Sequence, residues 1–245
     1  MLEICEVSKR FGDLQVMEGF SLTVPESGFT ALVGPSGCGK STLFDLLTGV
    51  VARDGGSIRW KGDEVPDLGS LAAYMQQKDL LLPWLSLFEN AMLPARVAGE
   101  GDARSDEARA LLKHLGLEDF AHYLPGAVSG GMRQRCALVR TLMFGREIVL
   151  LDEPLSALDA ITRRSLHAVL LLLQTEFRKT LLMITHDVEE ALLLADEVIV
   201  LSRPPMTVRE RFRPESSKPR RITDPGLVRL KEHILAELEA ESDAF

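Results

Sequence analysis

The sequence predicts an α/β fold, a parallel sheet with helices on both faces, and two observations predict it. An apolar, strand-like run, Phe29-Thr30-Ala31-Leu32-Val33, passes through a glycine-rich loop into Thr42 to Leu47, whose spacing is helical. From Ser129 onward, helices alternate with wholly apolar strands, Ile148 to Leu151 and Leu181 to Ile184. Strands that are apolar throughout and separated by helices belong to sheets buried on both faces.

The elements follow in order. Phe20, Leu22 and Val24 alternate with polar neighbours, which predicts a half-buried strand before a turn at Pro25 to Gly28. Gly55-Gly56 is a turn signal, and Ser57 to Trp60 resumes as a short strand. The first sixty or so residues thus read as β-structure around one buried βα unit. Between Ser86 and His122 the pattern changes. Leu111, Leu112, Leu115 and Leu117 have helical spacing, and the stretch reads as a mostly helical insertion. After Leu201 the pattern weakens. Arg203 to Arg221 is rich in arginine and proline and reads as a solvated strand and linker, or else as a contact for acidic lipid headgroups or a partner. Pro225 to Glu241 closes the chain with an amphipathic helix on Leu227, Leu230, Ile234 and Leu238. There is no internal repeat.

Composition excludes several classes. The 245 residues suffice for one large core, or one core with a small lobe. A formal net charge of −8 has the wrong sign for a general affinity for DNA or RNA, so no nucleic-acid partner is expected. The richest apolar stretch, Ala168 to Gln174, is far too short to span a membrane. Met1 to Glu6 has neither the basic start nor the apolar run of a secretory signal. Cys5, Cys38 and Cys136 are widely spaced with no metal-ligand rhythm, which suits a reducing cytosol. A cytoplasmic protein is expected.

The loop between the first buried strand and its helix, Gly34 to Ser41, reads G-P-S-G-C-G-K-S, a complete G-x-x-x-x-G-K-[ST] pattern in its strand–loop–helix context. Its glycines let backbone N–H groups curl around an anion at a helix N-terminus. Lys40 reaches outer phosphates, and the Ser41 hydroxyl is a ligand for Mg²⁺. The pattern predicts a nucleoside triphosphate held by Gly34, Pro35, Ser36, Gly37, Cys38, Gly39, Lys40, Ser41 and Thr42.

Two further segments narrow the chemistry. Ile148 to Leu151 runs into Asp152-Glu153, so a buried parallel strand would carry two carboxylates to its C-terminal edge, where such sheets bind ligands. Asp152 is placed to hold Mg²⁺, directly or through water, and Glu153 to polarise a water for attack on the γ-phosphate. Ser129-Gly130-Gly131 opens a second helix, with an N-cap serine and two glycines that admit an anion. One nucleotide does not need two such cradles in one subunit. The economical arrangement is a two-fold dimer in which each copy lends its lysine-free cradle to the other's nucleotide.

On these residues the chain resembles the ATP-binding subunits of ABC transporters over nearly its whole length. The shared motifs are the Walker A loop Gly34–Ser41, the signature Val128-Ser129-Gly130-Gly131-Met132, and the Walker B strand ending at Asp152-Glu153. To these are added the D-loop-like Ser156-Ala157-Leu158-Asp159 and the switch-like Thr185-His186-Asp187. The resemblance implies a P-loop NTPase (RecA-like) core with an antiparallel β-subdomain and an inserted α-helical subdomain. Within a single ATPase domain over 1–245, the β-subdomain and core would occupy 1–85 and 123–202, the helical subdomain 86–122, and a terminal strand, linker and helix 203–245.

It also implies roles. Gln77 would contact Mg²⁺ or the attacking water and sense the membrane partner, with Gln76 as the competing choice. His186 would touch the γ-phosphate and stabilise transition-state charge, whereas His114, His122, His167 and His233 are read as ordinary. Asp159 would contribute to the nucleotide site. Phe11 would stack on adenine, or else be a core residue of the first strand. Glu153 and His186 would therefore be catalytic, and Ser41, Gln77 and Asp152 would hold the metal. Val128 replaces the family's leucine and Met132 its glutamine, the latter removing a polar side chain near the nucleotide.

Leu82-Pro83-Trp84, Gly131 to Arg135, Leu158 to Arg163 and Arg203 to Pro205 resemble the nitrate, sulfonate, taurine and thiamine-precursor import branch. The implied activity is ATP hydrolysis that drives two transmembrane permease subunits, served indirectly by a solute-binding protein. The implied location is the inner face of the cell membrane. An exporter or lipoprotein-extraction subunit shares this chemistry and stays open as the alternative, with a non-transport ATPase acting on nucleic acid further off.

Overall fold

The computed structural model describes residues 1–101, 103–156 and 158–243, with the side chains of Ile161 and of 241–243 left aside. The chain opens with an antiparallel hairpin, β1 (Leu2–Phe11) and β2 (Leu14–Val24), which pairs from Leu2 opposite Val24 to Phe11 opposite Leu14 with register shifts between Ile4 and Arg10. β3 (Phe29–Val33) then leads through the glycine loop into α1 (Lys40–Leu47). β4 (Gly55–Trp60) and β5 (Asp63–Val65) return to the hairpin and complete an antiparallel sheet of order β2-β1-β4-β5.

β6 (Ala72–Met75) starts the other side of the main sheet. After it come α2 (Leu87–Val97), α3 (Ser105–His114), two short 3₁₀ turns and α4 (Gly130–Leu142). β7 (Ile148–Asp152), α5 (Ala160–Thr175), β8 (Thr180–Ile184), α6 (Val188–Leu194) and β9 (Glu197–Leu201) alternate as the sequence predicts. β10 (Val208–Phe212) and α7 (Pro225–Asp243) end the described chain. The main sheet runs β10-β9-β3-β8-β7-β6, parallel throughout except for β10 at the edge.

Every residue of β3, β7, β8 and β9 is buried, and alternate residues serve two separate cores. Leu32, Leu150, Leu182 and Ile199 face the antiparallel sheet and the Leu43, Phe44, Leu46 and Leu47 face of α1. Ala31, Val149, Met183 and Val198 face the helical side, with Leu87 and Ala91 of α2, Leu112 of α3, Leu138 of α4 and Leu170 of α5. The period-2 pleat of one buried sheet therefore fixes which layer lies on which side.

The helical segment is tied into that framework. Ser86 caps α2 in a reciprocal capping box with Glu89, its Oγ accepting from the Glu89 N–H at 3.2 Å and its N–H donating to Glu89 Oε2 at 2.9 Å. Asn90, fully buried, accepts from the Leu82 N–H at 2.8 Å and donates to the carbonyls of Leu82, Leu85 and Ser86. The loop after β6 is thus stitched to α2. α4 packs on both α2 and β6, with the Cys136 thiol donating to the Leu87 carbonyl at 3.2 Å. Val128 and Met132 pack against the helical-side core, so Met132 substitutes an apolar contact for the polar side chain it displaces.

The arginine-rich run is largely exposed, as read, and several of its side chains nevertheless find partners in the chain. Arg211 and Arg213 pair with the buried Glu197 at 3.2 and 3.0 Å. Arg220 donates to the carbonyls of Leu192 and Ala195, satisfying the C-terminal end of α6. Among the described residues, no helix is long and apolar enough to cross a membrane.

Candidate active site

The C-terminal ends of β3, β7 and β8 converge on the glycine loop, as a parallel sheet dictates. Here a cavity of about 380 Å³ is lined by Gly34, Ser36, Gly37, Gly39, Lys40, Ser41, Thr42, Gln77, Asp152, Glu153 and His186, with Phe11, Leu14, Val16 and Ile184. Gly39 directly precedes α1 with φ +110°, and a Cβ there would lie 2.7 Å from Val16 Cγ1. Only glycine lets the helix start this close to the hairpin. Lys40 lies across the loop, its Nζ donating to the carbonyls of Gly34 at 2.8 Å and Pro35 at 2.9 Å.

Phe11, at the end of β1, is 46% exposed and belongs to neither core. It stands at the cavity wall with the Lys9 ammonium 5.1 Å from its ring centroid. Of the two sequence alternatives for this ring, the core position is the one the structure does not show.

Asp152, 3% exposed, ends β7 with the Ser41 hydroxyl beside it. Burial pushes its carboxyl above the ordinary range and Glu153 adds to the push, while the Ser41 hydroxyl and the Lys40 charge oppose it. Tyr74 on β6 lies near Asp152. Burial first, and the Asp152 charge second, keep its phenol protonated as a donor. A hydroxyl and a buried carboxylate that gains from a nearby cation form a hard-oxygen pair, which fits Mg²⁺.

Glu153 stands beyond the strand end with φ +49°, a left-handed conformation that costs a branched-out residue about 1–2 kcal/mol. Its N–H donates to the Ile184 carbonyl at 2.9 Å, and its own carbonyl accepts from Gln134 Nε2 at 2.9 Å and Ser156 Oγ at 3.1 Å. So held, its carboxylate meets Gln77 Nε2 at 3.0 Å and His186 Nδ1 at 3.5 Å. Gln77, not Gln76, is the glutamine that reaches the cavity.

Tyr74 and Gln134 were not singled out by the sequence. Their roles arise from β6 lying beside β7 and from α4 crossing under the Walker B loop. The only signal in the chain was that Gln134 lies within the signature region.

Ser129, Gly130, Gly131 and Asp159 do not line this cavity. Ser129 caps α4, its Oγ accepting from the Met132 N–H at 3.3 Å, and it and Gly130 are exposed. The Asp159 carboxylate caps α5, accepting from the Thr162 N–H at 3.0 Å and its hydroxyl at 2.7 Å. Ala157, between Ser156 and Leu158, lies outside the described residues. The chain thus presents a lysine-bearing cradle in a cavity and a lysine-free one on open surface.

Comparison with known proteins accords with this geometry. The family model described as ABC transporter matches residues 17–156. The chain belongs to the ABC transporter family. Its fold is that of an ABC ATPase cassette, α/β with an antiparallel β-subdomain. The chain is 38% identical over 229 residues to the aliphatic sulfonates import ATP-binding protein SsuB 1 of Paraburkholderia xenovorans, covering 94% of this chain and 65% of that protein. It is 37% identical over 243 residues to SsuB of Burkholderia pseudomallei, covering 99% and 72%. With the taurine import ATP-binding protein TauB of Escherichia coli O157:H7 it shares 35% identity over 254 residues, covering all of both chains. Among solved structures of the ABC family, the dimeric post-hydrolysis state of the ATP-binding cassette MJ0796 bound to ADP and Pi superposes with a TM-score of 0.79 at 27% identity, covering 89% of this chain and 100% of that one. A second dimeric structure of MJ0796, a bacterial ABC transporter cassette, gives a TM-score of 0.79 at 26% identity, with the same coverage.

Proposed function

We propose that this chain is the ATP-hydrolysing, energy-coupling subunit of a bacterial importer for sulfonate-type solutes, working as a two-fold dimer with two shared MgATP sites. The observation that carries the proposal is the separation of the two anion cradles. The Gly34–Ser41 loop lies in the cavity with Glu153, whereas Ser129–Gly131 stands outside it. The dimeric MJ0796 relatives and the sulfonate and taurine import relatives support the reading.

In this mechanism the loop N–H groups and Lys40 bind the phosphates of ATP, and Phe11 offers its face to adenine. Ser41, Asp152 and Gln77 would hold Mg²⁺. Such an ion would supply neutralising charge to the outer phosphate oxygens. Glu153 orients and polarises the attacking water, and Gln77 and His186 fix the carboxylate's direction. Ser129, Gly130, Gly131 and Asp159 of one copy close over the nucleotide of the other. Closure pulls on two permease subunits at the inner membrane face through the helical segment and the loop after Gln77. An external solute-binding protein supplies the solute.

A mixing experiment tests the shared site. Lys40→Ala and Ser129→Arg homodimers are each expected to lose hydrolysis. Mixed, they form heterodimers in which one site joins an intact loop to an intact signature, and ATPase activity returns. Mixtures as inactive as the separate variants, with both still folded, would contradict the shared site.

A further inference from the structure

His186 is 66% exposed at its side chain, and its ring meets Glu153 at 3.5 Å. A ring so open takes its direction from the backbone beneath it, and both flanking residues are fastened to one buried residue, Thr185 to its carboxyl and Asp187 to its backbone N–H. Thr185 (2% exposed) donates its hydroxyl to Glu190 Oε2 at 2.7 Å, and Glu190, in the first turn of α6, is 4% exposed. The same hydroxyl accepts from the Asp187 N–H at 3.1 Å. Asp187 caps α6 by accepting from the Glu190 N–H at 3.1 Å, and Arg163 of α5 reaches its other oxygen at 3.4 Å. Thr185 is tied further to the main sheet through its N–H to the Leu32 carbonyl at 3.2 Å. Glu153, Arg163, Thr185, His186, Asp187 and Glu190 line one small cavity of about 30 Å³, so Glu190 and the hydrolytic group share it.

We propose that Glu190 is a positioning residue for hydrolysis, its carboxylate clamping Thr185 so that the loop presents His186 to the Glu153 side of the nucleotide cavity. The proposal rests on the catalytic reading of Glu153 and His186 above. The charged and titratable groups near Glu190 are Asp187 at the cap of its own helix, Arg163 from α5 and His186 from the loop, and Glu153 lines the same small cavity. Burial pushes the Glu190 carboxyl up to about 7, against the pull of the Thr185 hydrogen bond. Above that pH the carboxylate accepts a charge-assisted bond from Thr185. Below it the protonated acid grips the loop less firmly, so turnover falls on the acid side.

The test is steady-state ATPase kinetics from pH 6 to 9 on wild type, Glu190→Ala, Glu190→Gln, Glu190→Asp, His186→Ala and the Glu190→Ala/His186→Ala double variant. Folding and ATP binding are checked in each. Glu190→Ala is expected to lower kcat about 10- to 100-fold, the scale of a misplaced catalytic group, with KM for ATP unchanged. Glu190→Gln keeps an acceptor oxygen for Thr185 and loses the acid limb near neutrality. In the double variant, Glu190→Ala costs nothing beyond His186→Ala, because both act through one group. Wild-type kcat and pH profile in Glu190→Ala, beside an impaired His186→Ala, would overturn the positioning role and leave the site reading standing. An equal further loss in the double variant would overturn it too. A fully active His186→Ala would overturn the site reading, and the clamp with it.

Discussion

Glu153 and Gly39 show how single residues set the geometry of the site. Glu153 takes up left-handed backbone at a strand end, and hydrogen bonds to Ile184 of β8, Gln134 of α4 and Ser156 hold it there. Strain of this kind persists where surrounding structure over-determines it, and here it turns a carboxylate back toward the cavity. Gly39 is the reverse case, a position that admits no side chain. Gly39→Ala is expected to cost more than about 1 kcal/mol in stability and to abolish nucleotide binding, because φ +110° disfavours alanine and its methyl would meet Val16. Urea denaturation with a fluorescent-nucleotide titration measures both. An alanine variant with wild-type stability and affinity would contradict this account of the loop.

At the scale of elements, what was legible in the sequence is what chain neighbours decide. The glycine loop, the strand that ends in Asp152-Glu153, and the alternation of apolar strands with helices are each written within a few consecutive residues, and the structure places them as read. Contacts between distant elements were not legible. Nothing in the run around Tyr74 shows that β6 will lie beside β7 and deliver a phenol to Asp152. Nor does the arginine-rich run after Leu201 show that Arg211 and Arg213 will meet a buried Glu197, or that Arg220 will close α6. The side chains are ordinary surface types, and only tertiary apposition gives them partners. The helical segment is intermediate. Its helices were legible, but its fastening to α4 and to the loop after Gln77 was not. Arg140 donates to the carbonyls of Asp79 and Leu80, and Arg133 pairs with Asp79 at 3.0 Å. These contacts fasten the signature helix to the loop that follows Gln77. Ser86→Ala removes the α2 capping box and is expected to lower unfolding free energy by about 1 kcal/mol in a denaturant titration. An unchanged midpoint would mean that α2 is held by packing alone.

At the scale of the whole molecule, the fold keeps two anion cradles rigid and apart. One is in a cavity at the end of the main sheet, and the other is on the exposed start of α4. On the proposed reading neither cradle completes a hydrolytic site alone, and the exposed one meets a second copy of the chain. ATP favours the closed pair only to the extent that it binds that state more tightly than the open one. Removing the hydrolytic carboxylate while keeping the nucleotide contacts should therefore hold the pair shut. The direct measurement is the mass of Glu153→Gln by size exclusion with light scattering, with and without MgATP. The account predicts a monomer without nucleotide and a stable dimer with it, hydrolysis having fallen by about 100-fold or more. A variant that binds ATP yet remains monomeric, or that hydrolyses at the wild-type rate, would contradict it.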